Sequence, residues 1–356
     1  MNQPPAETLY EKLKVRRNKN SEAEIEAEIP SAIVGHYVAE ISEKARRDFT
    51  LPGFRKGQVP ADIFRQHVNE MHILEDAVDE ILQDVYPTLI ENEKLPVIGR
   101  PEVQITKLAP GNPIAFKMTV ALQPEFSLPD YKKIGRAAME KKETATVTDA
   151  EIDEAVKQLQ LMRLRTTSGA PAPKDQIIPA LTDEEAKKFG PFENVAAFRT
   201  KLRENILEEK QEELRRRNRE KIADALIEKT SFALPEMIVR REAEALREER
   251  EQRVAALKTT MAEYLKKLNL TEEKAAQEER AAVERQLRTK FIFEKIATAE
   301  NLTAEPEAVE WNAKLLAERH PDADPEHLRH YVASMILNQK VLDILEGVEA
   351  KTQSEK

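Results

Sequence analysis

The chain of 356 residues contains no cysteine, which removes disulfides, thiolate metal sites and cysteine nucleophiles from consideration. Glycine is scarce, with 9 residues, and aromatic residues make up only 5%. No run of about 18 apolar residues occurs, so no membrane-spanning helix is expected. The first residues, Met1 to Pro5, are neither basic nor apolar enough to resemble a signal peptide. These absences predict a soluble cytoplasmic protein that does not contact membranes.

Charge and proline are the features that the sequence has in quantity. Charged residues make up 34% of the chain, and 20 prolines punctuate it. This composition is typical of long solvated helices separated by proline-marked breaks, and not of a compact α/β enzyme. The net charge of −9 argues against general coating of nucleic acid, so an RNA contact would have to be local. No glycine-rich phosphate loop occurs, and we expect no cofactor and no nucleotide hydrolysis.

One octapeptide, residues 53–60, departs from this background. Its sequence is Gly-Phe-Arg-Lys-Gly-Gln-Val-Pro, and Pro52 precedes it. Two glycines and the flanking prolines exclude a regular helix. From Lys44 to Pro60 the chain has five basic residues and one acid, a local reversal of the overall sign. An exposed aromatic beside two cations favours docking to RNA or an acidic protein surface; the alternative is a solvated loop with no partner.

At these residues the chain resembles the trigger factor family of ribosome-associated chaperones. The family signature is Gly-Phe-Arg-Lys-Gly-Lys-Val-Pro, and only Gln58 differs from it. The resemblance implies that the loop binds the ribosome, both protein and rRNA, beside the exit of the peptide tunnel. The residues assigned to this contact are Gly53, Phe54, Arg55, Lys56 and Gly57. The resemblance also implies that free molecules can form a homodimer.

The pattern of elements predicts an α+β fold class, with a small N-terminal α+β docking domain followed by a linker and an elongated all-α domain with helical arms. Alternation in residues 22–29 predicts a hairpin with residues 10–17, and Ser31 is expected to cap the next helix. The predicted domains are 1–140 for ribosome binding, 141–177 for a helix and flexible linker, and 178–350 for helical substrate binding. A single helix is expected to continue from Leu234 through Leu268.

Members of the family usually carry a prolyl-isomerase domain between the helix that follows the docking domain and the helical domain. Here Arg165 and Ile178 are separated by a short stretch rich in proline and small residues, which is too short for a domain. We therefore predict that the isomerase is absent, that the protein is not an enzyme and that no residue is catalytic.

Two further clusters admit a functional and a structural interpretation. His320, His327 and His330 have a spacing that could hold a metal, but without cysteine or a closing ligand a solvated helix start is favoured, so no metal is predicted. Residues 215–219 are strongly basic, yet acids three and four positions away favour a salt-bridged helical face over an RNA site.

Apolar side chains of the helical half are candidates for contact with client polypeptides, although most such positions form the seams between helices. The candidates are Met237, Met261, Tyr264, Phe291, Phe293, Trp311, Tyr331 and Met335. The favoured hypothesis is an ATP-independent chaperone that docks on the ribosome and shields apolar segments of nascent polypeptides through many weak contacts. The alternatives are a ribosome-independent helical scaffold or assembly chaperone for folded clients, and a cryptic prolyl isomerase.

Overall fold

The computed structural model describes residues 9–139, 143–168 and 180–347, in which four strands and twelve α-helices occur. In chain order they are β1 (Glu11–Asn18), β2 (Glu22–Ile29), α1 (Ser31–Asp48), α2 (Ala61–His67), α3 (Glu70–Asn92), β3 (Val97–Lys107), β4 (Ile114–Leu122), α4 (Tyr131–Ala138), α5 (Asp149–Ser168), α6 (Asp183–Ala186), α7 (Val195–Lys229), α8 (Glu236–Ala256), α9 (Met261–Lys267), α10 (Glu272–Ala299), α11 (Pro306–Arg319) and α12 (Pro325–Glu346). A short 3₁₀ turn, Lys187–Phe189, follows α6. The predicted α+β class is confirmed: a small four-stranded sheet with helices is followed by a mostly helical region.

The N-terminal sheet is antiparallel with the strand order β1-β2-β4-β3. The alternation of β2 places Ile25, Ala27 and Ile29 on the buried face, which confirms the predicted hairpin. Ile25 lies opposite Met118 of β4, and both are almost completely buried. Burial of side chains of this size contributes about 1.5–3 kcal/mol each, so this register is strongly specified.

Helices α1 and α3 cover the buried face of the sheet. Their apolar positions form one core with the inner side chains of β2 and β4. Tyr37 of α1 donates a hydrogen bond of 2.6 Å to Asp84 of α3, and burial together with this bond raises the pKa of the tyrosine. Helix α1 differs from the prediction at its start: Pro30 is the N-cap residue and no side chain caps the helix, so Ser31 is its first residue and not its cap. Proline fixes an extended backbone there and makes a side-chain cap unnecessary.

By their internal contacts, residues 1–127 and 231–291 form one compact unit. Within it, Met237, Ile238 and Val239 of α8 are buried against the outer face of the sheet near Ala121. The buried carboxylate of Glu22 accepts a hydrogen bond of 2.8 Å from the backbone N–H of Met237, in the first turn of α8. The carboxylate satisfies a donor at a helix start that has no partner within the helix.

The second compact unit comprises residues 128–230 and 292–356. Gly135 of α4 approaches the backbone of α12 so closely that a Cβ atom would lie 2.3 Å from the carbonyl oxygen of Leu345. Arg219 of α7 pairs with Glu346 at 2.7 Å, next to the same contact. Capping boxes predicted at Thr148 and Thr182 are confirmed by reciprocal hydrogen bonds with the residues three positions later.

The predicted single helix from Leu234 to Leu268 is wrong, because the chain breaks between α8 and α9. Lys258 has a φ of 53°, outside the helical region. Thr260 and Glu263 then form a capping box that opens α9. The apolar spacing continues across the break, which is why periodicity alone joined the two helices.

The expected flexible linker begins at Thr166, but residues 166–168 still belong to α5, and residues 169–179 lie outside the described part of the chain. The two units divide the chain differently from the linear domains 1–140, 141–177 and 178–350, which stay a prediction. Among the described residues, no helix is both long enough and apolar enough to span a membrane.

Candidate functional site

The predicted docking segment is a loop that joins α1 to α2, and its two ends are anchored in the domain. Phe49, which follows α1, packs the edge of its ring against Phe64 of α2 with 5.2 Å between the ring centroids. Val59 is fully buried at the other end. The guanidinium of Arg46 donates a hydrogen bond of 3.1 Å to the carbonyl oxygen of Val59. Both ends are therefore fixed while the residues between them project.

Three backbone hydrogen bonds shape this loop. The N–H of Phe54 donates to Leu51 at 3.0 Å, and that of Gln58 donates to Arg55 at 2.9 Å, so two turns follow each other. The N–H of Gly57 donates to Phe49 at 3.2 Å and closes the base. These bonds satisfy backbone groups that no helix or strand could satisfy here.

The two glycines have different physical reasons. Gly53 has a φ of 93° with open space around it, whereas Gly57 has a φ of 75° and faces the backbone of Arg47. A Cβ atom on Gly57 would lie 2.8 Å from the carbonyl oxygen of Arg47. Glycine at residue 57 therefore satisfies a conformational and a steric requirement at once.

The side chains at the tip face solvent. Phe54 is 38% exposed, which is unusual for a phenylalanine and leaves one side of the ring available to a partner. Lys56 pairs with Asp48 at 2.9 Å, and this bond lowers the pKa of the aspartate. Arg55 is exposed and makes no ion pair with any described residue. The structure thus brings all five predicted residues together on one loop, and their binding role stays a prediction.

The unpaired positive charge is smaller than the count of residues 44–60 suggests. Lys44 pairs with Glu80 at 3.0 Å and with Glu40 at 3.3 Å, and Arg46 pairs with Glu43 at 2.9 Å. With Lys56 paired as well, Arg47 and Arg55 are the cations of this segment that have no acidic partner among the described residues. The partner acids lie outside the counted window, on α1 and α3, which is why a local sequence count misses them.

The candidates for client contact fall into three groups by burial. Met237, Phe291 and Phe293 are buried, Met261 and Tyr264 are half-buried, and Trp311, Tyr331 and Met335 are more than half exposed. The buried three pack inside their own units, so this conformation offers them to no client. The exposed three lie on α11 and α12, whose shared core contains Ala313, Leu328 and Val332.

Other exposed apolar residues were missed by the sequence analysis. Leu257 and Leu268 flank α9 with exposures of 62% and 51%, and Leu315 of α11 is 46% exposed. The capping box at Thr260 would have shown that Leu257 and Leu268 lie at helix ends and not in a continuous seam. Among the described residues, which include His320, His327 and His330, no group of three or more potential ligands could hold a metal ion.

Comparison with known families adds an independent line of argument. A bacterial trigger factor model matches residues 11–159, and a trigger factor C-terminus model matches residues 194–347. The chain belongs to the trigger factor family. Trigger factors are chaperones, and membership implies that the protein binds client polypeptides. Residues 160–193, between the two matched segments, include the place where the isomerase domain is expected to be missing.

Relatives cover nearly the whole chain at low identity. The trigger factor of Clostridium acetobutylicum is 21% identical, with 90% of this chain and 94% of the relative covered. That of Moorella thermoacetica is 23% identical, with 94% of both covered. The alignment with the Clostridium trigger factor extends over 412 positions, more than the 356 residues of this chain. This relative therefore has residues that face gaps in the chain.

A solved structure shares the trigger factor fold. It covers 94% of this chain and 99% of its own, with a TM-score of 0.52 and 15% identity. That protein is a trigger factor chaperone studied for promiscuous substrate recognition in folding and assembly activities. At this identity the likeness concerns the fold, and the roles of individual residues require their own arguments.

Proposed function

We propose that this trigger factor is an ATP-independent chaperone that docks on the ribosome at the tunnel exit through residues 53–57. The observation that carries the proposal is the tip of the loop, where Phe54 is 38% exposed beside the unpaired Arg55. An aromatic ring supplies apolar contact area at small entropic cost, and a planar guanidinium recognises carboxylates or phosphates. Because the loop base is fixed by hydrogen bonds, little conformational entropy is lost when the tip binds.

The client surface in this proposal is the exposed apolar side chains of α11 and α12, together with those beside α9. Trp311, Tyr331 and Met335 are large and adaptable side chains, and the neighbouring charged residues keep the surface soluble. Several weak contacts on one nascent chain add through avidity without any nucleotide. Folding of the client buries its own apolar segments, removes these contacts and releases it.

We place the protein in the cytoplasm and assign it no prolyl-isomerase activity. Residues 160–193 separate the two family segments, and the Clostridium relative has residues that face gaps in this chain. A proline-limited refolding assay checks this: the protein should not accelerate the slow phase above background. Acceleration that grows with protein concentration would contradict the assignment.

Ribosome co-sedimentation tests the docking assignment. The variant F54A/R55A/K56A should lose at least about tenfold in affinity for 70S ribosomes, equivalent to about 1.4 kcal/mol. The matched control R215A/R216A/R217A removes three cations from α7 and should bind like the wild type. Undiminished binding of the loop variant, or equal loss in the control, would show that the loop is not the anchor.

The runner-up is an assembly chaperone that works away from ribosomes, which the folding and assembly activities studied in the similar structure favour. It predicts full suppression of client aggregation without ribosomes and no co-sedimentation of the wild type. Ribosome binding by the wild type that depends on Phe54 and Arg55 would exclude it.

A further inference from the structure

The edge strand β1 is a second basic surface of the N-terminal domain. From Glu11 to Lys19 the chain has one acid and five cations, whereas the whole chain has a net charge of −9. Strand β1 pairs only with β2, so its other edge is open. The cations Lys14, Arg16, Arg17 and Lys19 are all exposed.

These four cations are not neutralised by the neighbouring strand. Glu28 pairs with Lys12 at 2.5 Å, and Glu24, the register partner of Arg16, pairs with Lys117 of β4 at 3.1 Å. Lys14 lies opposite Glu26 in the register, but the two make no ion pair. Among the described residues, Lys14, Arg16, Arg17 and Lys19 have no acidic partner at all. This edge therefore holds more unpaired positive charge than the loop at residues 53–57.

The chemistry of this edge selects one kind of partner. The apolar residues of β1, Leu13 and Val15, pack against the domain's own core, so the open side presents cations and no apolar anchor. Protein interfaces depend on buried aromatic or aliphatic anchors, which are missing here. Single-stranded RNA binders use aromatic rings as stacking platforms, and β1 contains none. Unpaired cations spaced along a strand fit the phosphate backbone of a duplex.

We propose that Lys14, Arg16, Arg17 and Lys19 bind the phosphate backbone of double-stranded RNA without sequence preference. This inference rests on the proposed function for the identity of that RNA, which would be ribosomal. The basic edge would then supply long-range attraction to rRNA, and the loop would supply the oriented contact. A competing explanation is that the cations only protect an open strand edge from pairing with other chains, as charged residues on edges often do.

Fluorescence anisotropy with a labelled 20-base-pair RNA duplex tests the proposal on the full chain. The variant K14Q/R16Q/R17Q should bind at least about tenfold more weakly at low salt. Its dependence of log affinity on log salt should be shallower by about 0.9 per lost phosphate contact, the value known for B-form duplexes. The matched control R215Q/R216Q/R217Q, with the same charge change on α7, should bind like the wild type.

Protection of lysines in the wild type gives a readout that needs no variant. The duplex should protect Lys14 and Lys19 from acetylation, while the exposed Lys187 and Lys188 stay reactive. Unprotected Lys14 and Lys19, unchanged affinity of the edge variant, or equal loss in the control would each overturn the proposal. Aggregation of the edge variant with unchanged RNA affinity would show that the cations only protect the edge.

The outcome is separable from that of the ribosome experiment. If the wild type binds the duplex through β1 but does not sediment with ribosomes, the RNA surface stands and the docking assignment fails. If ribosome binding depends on residues 54–56 while the edge variant binds RNA normally, the opposite holds.

Discussion

Two basic segments of this trigger factor, the loop at residues 53–57 and the run at residues 215–219 of α7, look alike in sequence and differ in structure. On α7, Arg216 and Arg217 lie 3.6 and 3.8 Å from acids one helical turn away, and Arg219 pairs with Glu346 at 2.7 Å. In the loop, Arg55 has no acidic partner among the described residues. Helical spacing brings opposite charges together, whereas a loop closed by backbone hydrogen bonds keeps its cations apart from acids on the same segment.

The largest expected effect comes from the glycines that shape the loop. Gly57→Ala should destabilise the protein by about 3 kcal/mol, because the new Cβ atom meets the carbonyl of Arg47 in a backbone region unfavourable for alanine. Gly53→Ala, with a positive φ but open space, should cost about 1 to 2 kcal/mol. Urea unfolding of both variants measures the difference, and equal losses would show that the contact with Arg47 is unimportant.

Single substitutions at the tip should separate the free cation from the paired one. Arg55→Ala should weaken ribosome binding about tenfold. Lys56→Ala should weaken it only about two- to threefold, because Asp48 already occupies its charge and exposed pairs of this kind are weak. Asp48→Asn should release Lys56 and strengthen binding about twofold. Co-sedimentation titrations measure all three, and a larger loss for Lys56→Ala than for Arg55→Ala would contradict the charge assignment.

A pH titration probes how firmly α7 binds its acidic partners. The hydrogen bond from Lys210, aided by the backbone of Thr148, lowers the pKa of Glu151 to about 2. The stabilisation from this carboxylate is complete above its ordinary pKa of 4.5 and is lost as the pH falls through about 2. In Lys210→Ala the pKa should rise but stay below 4.5, since the bonds from Thr148 remain. Carboxyl NMR of Glu151 reports this directly, and an unchanged midpoint would mean that Lys210 contributes little.

The smallest effect is expected on the exposed face of α7. Arg216→Gln removes one pair that is 3.6 Å long and largely exposed. The free energy of unfolding should change by less than about 0.5 kcal/mol, and ribosome binding should not change. A clear loss of ribosome affinity in this variant would give the basic run a role that its salt bridges argue against.

Local patterns predicted much of the fold. The alternation of β2, the capping boxes at Thr148 and Thr182, and the start of α7 after Asn194 were all readable, because each depends on residues within one or two turns. The break between α8 and α9 was missed, since the apolar spacing runs through it. The approach of Gly135 to Leu345 joins residues distant in sequence, and no local pattern contains it.

The candidate site was predictable in its position but not in its charge. The octapeptide showed where the loop lies, and its glycines showed that it turns. The pairing of Lys44 with Glu80 depends on how α1 packs against α3, so the count of residues 44–60 overstated the free charge. The basic edge of β1 was present in the sequence, but its significance depends on β1 lying at the edge of the sheet.

The hydrogen bond from Gly57 to Phe49 makes the segment between them a self-contained module. Its ends meet at a fixed separation whatever side chains the tip presents, so changes such as Gln58 leave the surrounding domain undisturbed. Such a segment can vary its binding preference through substitutions at the tip alone. It could also be grafted onto another scaffold that offers two ends at the same separation.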